Sequence, residues 1–201
     1  ILTATLRDLA GAAIATATLP AAARTLVEFD NLADIALWEP AAPALYTLEL
    51  SVGDDTLTTS FGFRSVEFTT SGFALNGKPL KLRGLNRHQA FPYSGYALGR
   101  AAQERDAEIL KHELHLNMVR TSHYPQSPYF LDACDRLGLL VFEEIPGWQH
   151  IGDKAWQAEA IENVRRMITR DWNHPSIVIW GVRINESQDS HDFYGETNRL
   201  A

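Results

Sequence analysis

The chain has 201 residues, 45% hydrophobic and 21% charged, a composition ordinary for a globular protein of one large domain or two small ones. A formal net charge of −7 argues against nucleic acid or an anionic membrane surface as partner, and no run approaches the roughly 18 apolar residues of a membrane span. The single cysteine, Cys134, excludes an intrachain disulfide and a cysteine metal cluster; it fits a bacterial cytoplasm or periplasm alike.

Ile1–Val66 holds three Lys/Arg against eight Asp/Glu, net −5, which leaves −2 for the remainder and suggests a boundary nearby. The first residues, ILTATLRDLAG, carry neither a signal pattern nor an initiator Met, so a processed or excised piece is expected. Thr3–Asp8, Ile14–Leu19, Arg24–Phe29, Leu45–Val52 and Thr56–Arg64 alternate apolar and polar residues, and turn signals at Gly11 and Gly53-Asp54-Asp55 separate some of them. Short alternating strands of this kind predict a β-sandwich, with Asn31–Pro43 as a loop and Trp38 and Tyr46 as core or interface anchors. Asn76-Gly77 between apolar flanks predicts a two-residue hairpin.

After the hairpin the period changes. Leu80–Leu85, Asn117–Arg120, Leu139–Phe142 and Ile177–Gly181 read as strands, alternating with helices over Ala101–Leu116, Ser127–Leu137 and Trp156–Trp172. The first helix would place Ala107, Leu110 and Leu114 on one face; the second has Ser127 and Pro128 at its start and Gly138 as its stop. The last strand, Ile-Val-Ile-Trp-Gly, is apolar throughout, as in a parallel sheet covered by helices. The alternation predicts a parallel sheet with right-handed crossovers. Each strand ends in polar residues while its beginning is plain, the asymmetry of a (β/α) barrel whose site lies on the carboxyl face.

Those strand ends deliver His88, then Arg120 with His123, then Glu143 with Glu144, and finally Asn185 with Glu186. Cleaving a glycosidic bond needs a carboxylic acid beside a second carboxylate. Glu186 suits the acid, protonated through burial and a neighbouring carboxylate, and Asn185 suits a contact to the hydroxyl next to the anomeric carbon. Both residues also suit a simple cap of the following segment. His112-Glu113-Leu114-His115 lacks metal-protease spacing and reads as a solvated helix end, and His174-Pro175 reads as structural. Trp148 and His150 suit sugar stacking or loop packing.

At this point the motifs carry a resemblance. Leu37-Trp38-Glu39-Pro40, Phe61-Gly62-Phe63-Arg64, Arg83-Gly84-Leu85-Asn86-Arg87-His88, Asn117 through Pro125, Cys134-Asp135-Arg136-Leu137-Gly138, Arg170 through Ser176 and Trp180 to Asn185-Glu186 occur in one order. Together they resemble glycoside hydrolase family 2, the β-galactosidase, β-glucuronidase and β-mannosidase group. The resemblance implies an incomplete immunoglobulin-like β-sandwich over residues 1–67, followed over 68–201 by the first half of a (β/α)8 TIM barrel. It implies retaining hydrolysis of terminal β-linked sugars, β-galactosidase-like, with Glu186 as general acid/base. Asn185 would meet the sugar 2-hydroxyl; His88, His123 and Trp148 would surround the sugar; Arg120 would position the nucleophile. A β-linked oligosaccharide or glycoside is the implied partner, in a chain that could be a homo-oligomer.

The departures matter equally. The family nucleophile is a glutamate after the seventh strand, so these residues alone are expected to be inactive. The magnesium site of some galactosidases needs a carboxylate two residues before a histidine; here Trp148-Gln149-His150 stands there, and neither metal nor cofactor is expected. A non-catalytic carbohydrate-binding piece is the alternative function, and an adhesion role leaning on the sandwich is a further one.

Overall fold

A computed structural model describes residues 1–201. β1 (Leu2–Arg7), β2 (Ala13–Leu19), β3 (Tyr46–Val52) and β4 (Asp55–Phe61) form an antiparallel sheet in the order β2-β1-β3-β4. The strand period buries Ala4, Leu6 and Tyr46 on one face. Asp8 closes the first turn by accepting hydrogen bonds from Ala10 N and Ala12 N at 2.9 and 2.8 Å.

Arg24–Phe29, expected to be a strand, is not one. Thr25, Val27 and Phe29 are more shielded than their neighbours, so the alternation exists in exposure, yet the segment joins no ladder. Alternation makes a strand only where a free sheet edge receives its N–H and C=O groups.

β5 (Val66–Thr69), β6 (Gly72–Leu75) and β7 (Lys78–Pro79) make a small separate sheet. Its tip is the expected hairpin: Asn76 and Gly77 have φ of 51° and 73°, the left-handed pair of a type I′ turn. The Asn76 side chain accepts from Ser65 N at 2.9 Å and donates to Trp38 O at 3.1 Å.

The second half is a parallel sheet in chain order, β8 (Gly84–Asn86), β9 (Met118–Thr121), β10 (Leu140–Glu144) and β11 (Ile177–Gly181). Helices α1 (Arg100–Glu108), α2 (Pro128–Leu137) and α3 (Lys154–Asp171) form the crossovers, and α4 (His191–Leu200) follows β11. No helix is long and apolar enough to cross a membrane. Gly138 ends α2 at φ 70°, as Gly does at helix stops, and a Cβ there would lie 2.5 Å from Pro40 O.

Leu114 is 49% exposed, whereas Ala107 and Leu110 are buried as expected. α1 runs into a π-helical turn, Ile109–Glu113, in which Leu114 N donates to Ile109 O at 3.0 Å. The extra residue in that turn rotates Leu114 off the apolar face.

Two buried clusters sit behind the parallel strands, one against α1 and α2 through Val119, Val141, Phe130 and Leu131, the other against α3 and α4 through Ile145, Val164, Ile184 and Phe193. A third cluster joins the halves: Trp38, Phe73 and Leu75 meet Met118, Leu140 and Val178. Trp38 is fully buried and its Nε1 donates to Asp135 O at 2.9 Å. Arg64 donates to the Pro175 and Ile177 carbonyls, and Lys111 Nζ spans Pro40 O and Gly138 O at 2.8 Å each. The sheet ends opposite this seam are therefore the ones left free to form a site.

Candidate active site

At the carboxyl ends of β8–β11 the loops converge on two adjoining hollows that share Glu186. One, about 530 Å³, is lined by His88, Tyr96, His123, Tyr124, Gly147, Trp148 and Glu186. The other, about 460 Å³, brings Arg120, Glu144, Asn185 and Glu186 together. His88, Arg120, His123, Trp148, Asn185 and Glu186, the six residues to which the resemblance gave a role, thus line one mouth.

β10 explains how. Its last two residues point to opposite sides of the sheet, as successive strand residues must. Glu144 faces the mouth: Oε1 accepts from Arg120 Nε, and Oε2 lies 3.0 Å from His123 Nδ1. With Nδ1 turned to a carboxylate, Nε2 is the His123 nitrogen left for a ligand. The His88 ring meets the His123 ring edge-on, centroids 5.5 Å apart, and Tyr96 packs the same way on Tyr124 at 5.4 Å.

Glu143 faces backward and is fully buried, with neither oxygen hydrogen-bonded; Arg170 Nη2 is 3.6 Å away. Burial, then the Asp171 charge, push its carboxyl up to about 9, so it is a neutral acid in the helix–sheet interior. Arg87, beside His88 in sequence, also turns inward, where it binds Asp106 and Gln103 and lies over the Phe130 ring.

Arg120 has a second task. Its Nη2 donates to Asn185 Oδ1 at 2.7 Å. Guanidinium has only donors, so this contact fixes the orientation of the Asn185 amide and leaves its N–H₂ to donate outward.

Glu186 differs from its sequence-based expectation. It is exposed, not buried, and its carboxyl is held below the usual range, first by the Gln149 amide and then by the Trp148 indole. Gln149 Nε2 donates to Oε2 at 2.9 Å and Trp148 Nε1 donates to the same oxygen at 3.1 Å. Donors to the charged form favour ionisation, and the other carboxylate of the mouth, Glu144, is already neutralised by Arg120.

Trp148, Gln149 and His150 together give Glu186 two N–H donors and no carboxylate, while His150 stacks edge-on against Trp156 at 5.6 Å.

Gln149, Tyr96, Tyr124 and the partners of Glu144 (Arg120 and His123) were not found from sequence, although a supporting role suits acids at the end of the third strand. Strand alternation at β10 was the available signal for Glu144. Tyr96 lies in an irregular loop with no period to read, and nothing local marks Gln149.

Two family models match: residues 66–198 fit "Glycosyl hydrolases family 2, TIM barrel domain", and residues 3–64 fit "Glycosyl hydrolases family 2". A β-galactosidase of Thermoanaerobacterium thermosulfurigenes is 60% identical over 86% of this chain and 25% of its own length. One from Rhizobium meliloti is 50% identical over 87% of this chain and 24% of its own. The crystal structure of a Parabacteroides merdae β-glucuronidase superposes with a TM-score of 0.85 at 31% identity, covering 99% of this chain and 29% of that one. The chain therefore spans about a quarter of the length of these curated relatives. On the family models alone, which cover most of its residues, the chain belongs to glycosyl hydrolase family 2.

Proposed function

We propose that the protein carrying this chain is a retaining β-glycosidase, β-galactosidase-like, with residues 68–201 supplying half of a catalytic barrel on the support of 1–67. Glu186 is its general acid/base. Resting as a carboxylate, it first takes up a proton from solvent, gives it to the glycosidic oxygen as the C1–O bond breaks, and later takes one from the water that releases the sugar. Asn185, oriented by Arg120, donates to the sugar 2-hydroxyl; His88, His123 and Trp148 flank the ring. The observation carrying this is the convergence of Glu186 with an Arg120-held Asn185 at one mouth of parallel strands.

A neutral sugar is favoured over a uronic acid. The named β-galactosidases are the relatives at 50% and 60% identity. No Lys or Arg lines the hollow around His88 and His123; in the adjoining one Arg120 is committed to Glu144 and Asn185, and Arg183 to Ser187 O and Asp189.

These 201 residues taken alone do not turn over glycosides at an enzyme-like rate. Retention needs two carboxyls about 5–5.5 Å apart, and the other mouth carboxylate, Glu144, has both oxygens engaged. The test compares nitrophenyl β-galactoside and β-glucuronide turnover by the whole protein with that of its Glu186→Gln variant. A loss of about 10²–10⁴ in kcat is expected. Undiminished turnover would reduce Glu186 to a bystander and leave carbohydrate binding as the reading.

A further inference from the structure

Gln149 belongs to no motif, yet it touches the site twice. Its backbone N donates to Asn185 O at 2.7 Å, beside a parallel bridge between Trp148 and Asn185. The loops after β10 and β11 thus run side by side for a residue or two past the end of the sheet. Gly147 allows this approach, since a Cβ there would lie 2.5 Å from Ile184 Cδ1.

Gln149 and Glu186 face each other across these loops with φ of 61° and 54°. The left-handed region is unfavourable for both residue types, by on the order of 1 kcal/mol each, and such backbone persists only where its surroundings over-determine it. Here the surroundings are each other: Gln149 N holds Asn185 O, Arg120 holds the Asn185 amide, and the Gln149 amide holds Glu186.

The side-chain geometry adds direction. An exposed glutamate ordinarily samples several rotamers. In Glu186 two N–H donors from neighbouring residues converge on Oε2, and Oε1 accepts neither. Swinging the carboxylate away would break both bonds at once.

We propose that Gln149 is a positioning residue for Glu186: with the Trp148 indole N–H it holds Oε2, so that Oε1 is the oxygen that exchanges the proton with the glycosidic bond. This rests on the acid/base role proposed for Glu186. The depressed Glu186 carboxyl pKa agrees with the clamp, and Gln149 is the largest contributor to it. Trp148 then has two separable parts, an indole N–H for Glu186 and a ring face for the sugar.

The test uses the whole protein with Gln149→Met, an unbranched replacement lacking the amide, and Trp148→Phe, which keeps a ring and loses the N–H. Glu186 is titrated directly by carboxyl-carbon NMR without substrate, and the pH profile of kcat/KM is recorded in parallel. Gln149→Met is expected to move the Glu186 titration and the alkaline limb upward together. It should lower kcat about tenfold, the effect of one lost hydrogen bond, with KM within about twofold. Trp148→Phe should shift the titration the same way by less. A Gln149→Met protein with wild-type Tm and an unmoved Glu186 titration overturns the proposal. If that variant does not fold, Trp148→Phe decides alone, and no shift there overturns it. Failure of the underlying reading looks different: Glu186→Gln would keep its turnover while the Glu186 titration in Gln149→Met still moved.

Discussion

At the carboxyl ends of the parallel strands His123 Nδ1 lies 3.0 Å from Glu144 Oε2; at their amino ends His174 Nδ1 lies 2.6 Å from Asp135 Oδ2. The two pairs use the same chemical groups, and their surroundings differ. Glu144 shares Arg120 with Asn185, and His123 opens into the hollow beside His88. Asp135 instead also accepts from Ser176 N at 3.1 Å, and its carbonyl accepts the indole of Trp38. Every acceptor there is used to join α2, the start of β11 and the sandwich. Burial opposes the charge on His174, but the hydrogen bond and charge of Asp135 outweigh it and its pKa is raised. What separates the pairs is where they lie and what else their carboxylates hold: the mouth pair opens into a hollow and shares Arg120 with Asn185, while the other pins the backbone leading into β11.

The largest expected effect breaks the comparison at the mouth. His123→Ala should reduce kcat/KM of the whole protein about 10²-fold, the usual effect of losing one polar group aimed at a transition state. Calorimetry should meanwhile show Tm nearly unchanged. A large fall in Tm would mean that the mouth pair is as structural as the other.

Asp135→Ala tests the opposite end. It strands His174 and the Ser176 N–H, and should cost about 3 kcal/mol, or about 6–12 °C in Tm for a chain of this size. The pH dependence has a definite sign. A raised histidine pKa contributes stability that is fully present below the ordinary value of 6.5 and lost as pH rises through the folded value. The Tm deficit of Asp135→Ala should therefore be greatest near pH 5.5 and shrink above neutrality, though not to zero, because the bond to Ser176 N is uncharged on that side. A deficit independent of pH would remove the ion pair from the account.

The smallest effect sharpens the contrast between Glu143 and Glu144, neighbours on one strand. The buried Glu143 keeps its proton up to about 9, while the unfolded chain releases it near 4.5. Across that window the unfolded state is favoured, so Glu143→Gln should raise Tm by a few degrees at neutral pH. The gain should grow as pH rises from about 5 and level off near 9. A fall in Tm with this substitution would mean that Glu143 is ionised and held by Arg170.

Much of the fold was legible in the chain because its signals are local. The Asn76-Gly77 hairpin needs two left-handed residues, and Asn-Gly is the pair that adopts them at least cost. The β11 run, the Pro128 start and the Gly138 stop of α2 were equally explicit. The segments Arg24–Phe29 and Leu114 failed for one reason. A period states which face a residue prefers, not whether an edge exists to pair with or whether a helix keeps its turn.

The same division runs through the site. Residue order alone determined that polar groups gather at the ends of four strands, since period and connectivity dictate where strands stop and which way they run. Only the tertiary structure decided what each group does there. Arg120 meets Glu144 across 24 residues, Asn185 across 65, and Gln149 reaches Glu186 across 37. Hydrogen-bond partners at such separations are set by how the strands lie beside one another, and they decide which carboxylate is paired with Arg120, which donors hold Glu186, and which oxygen remains for a substrate.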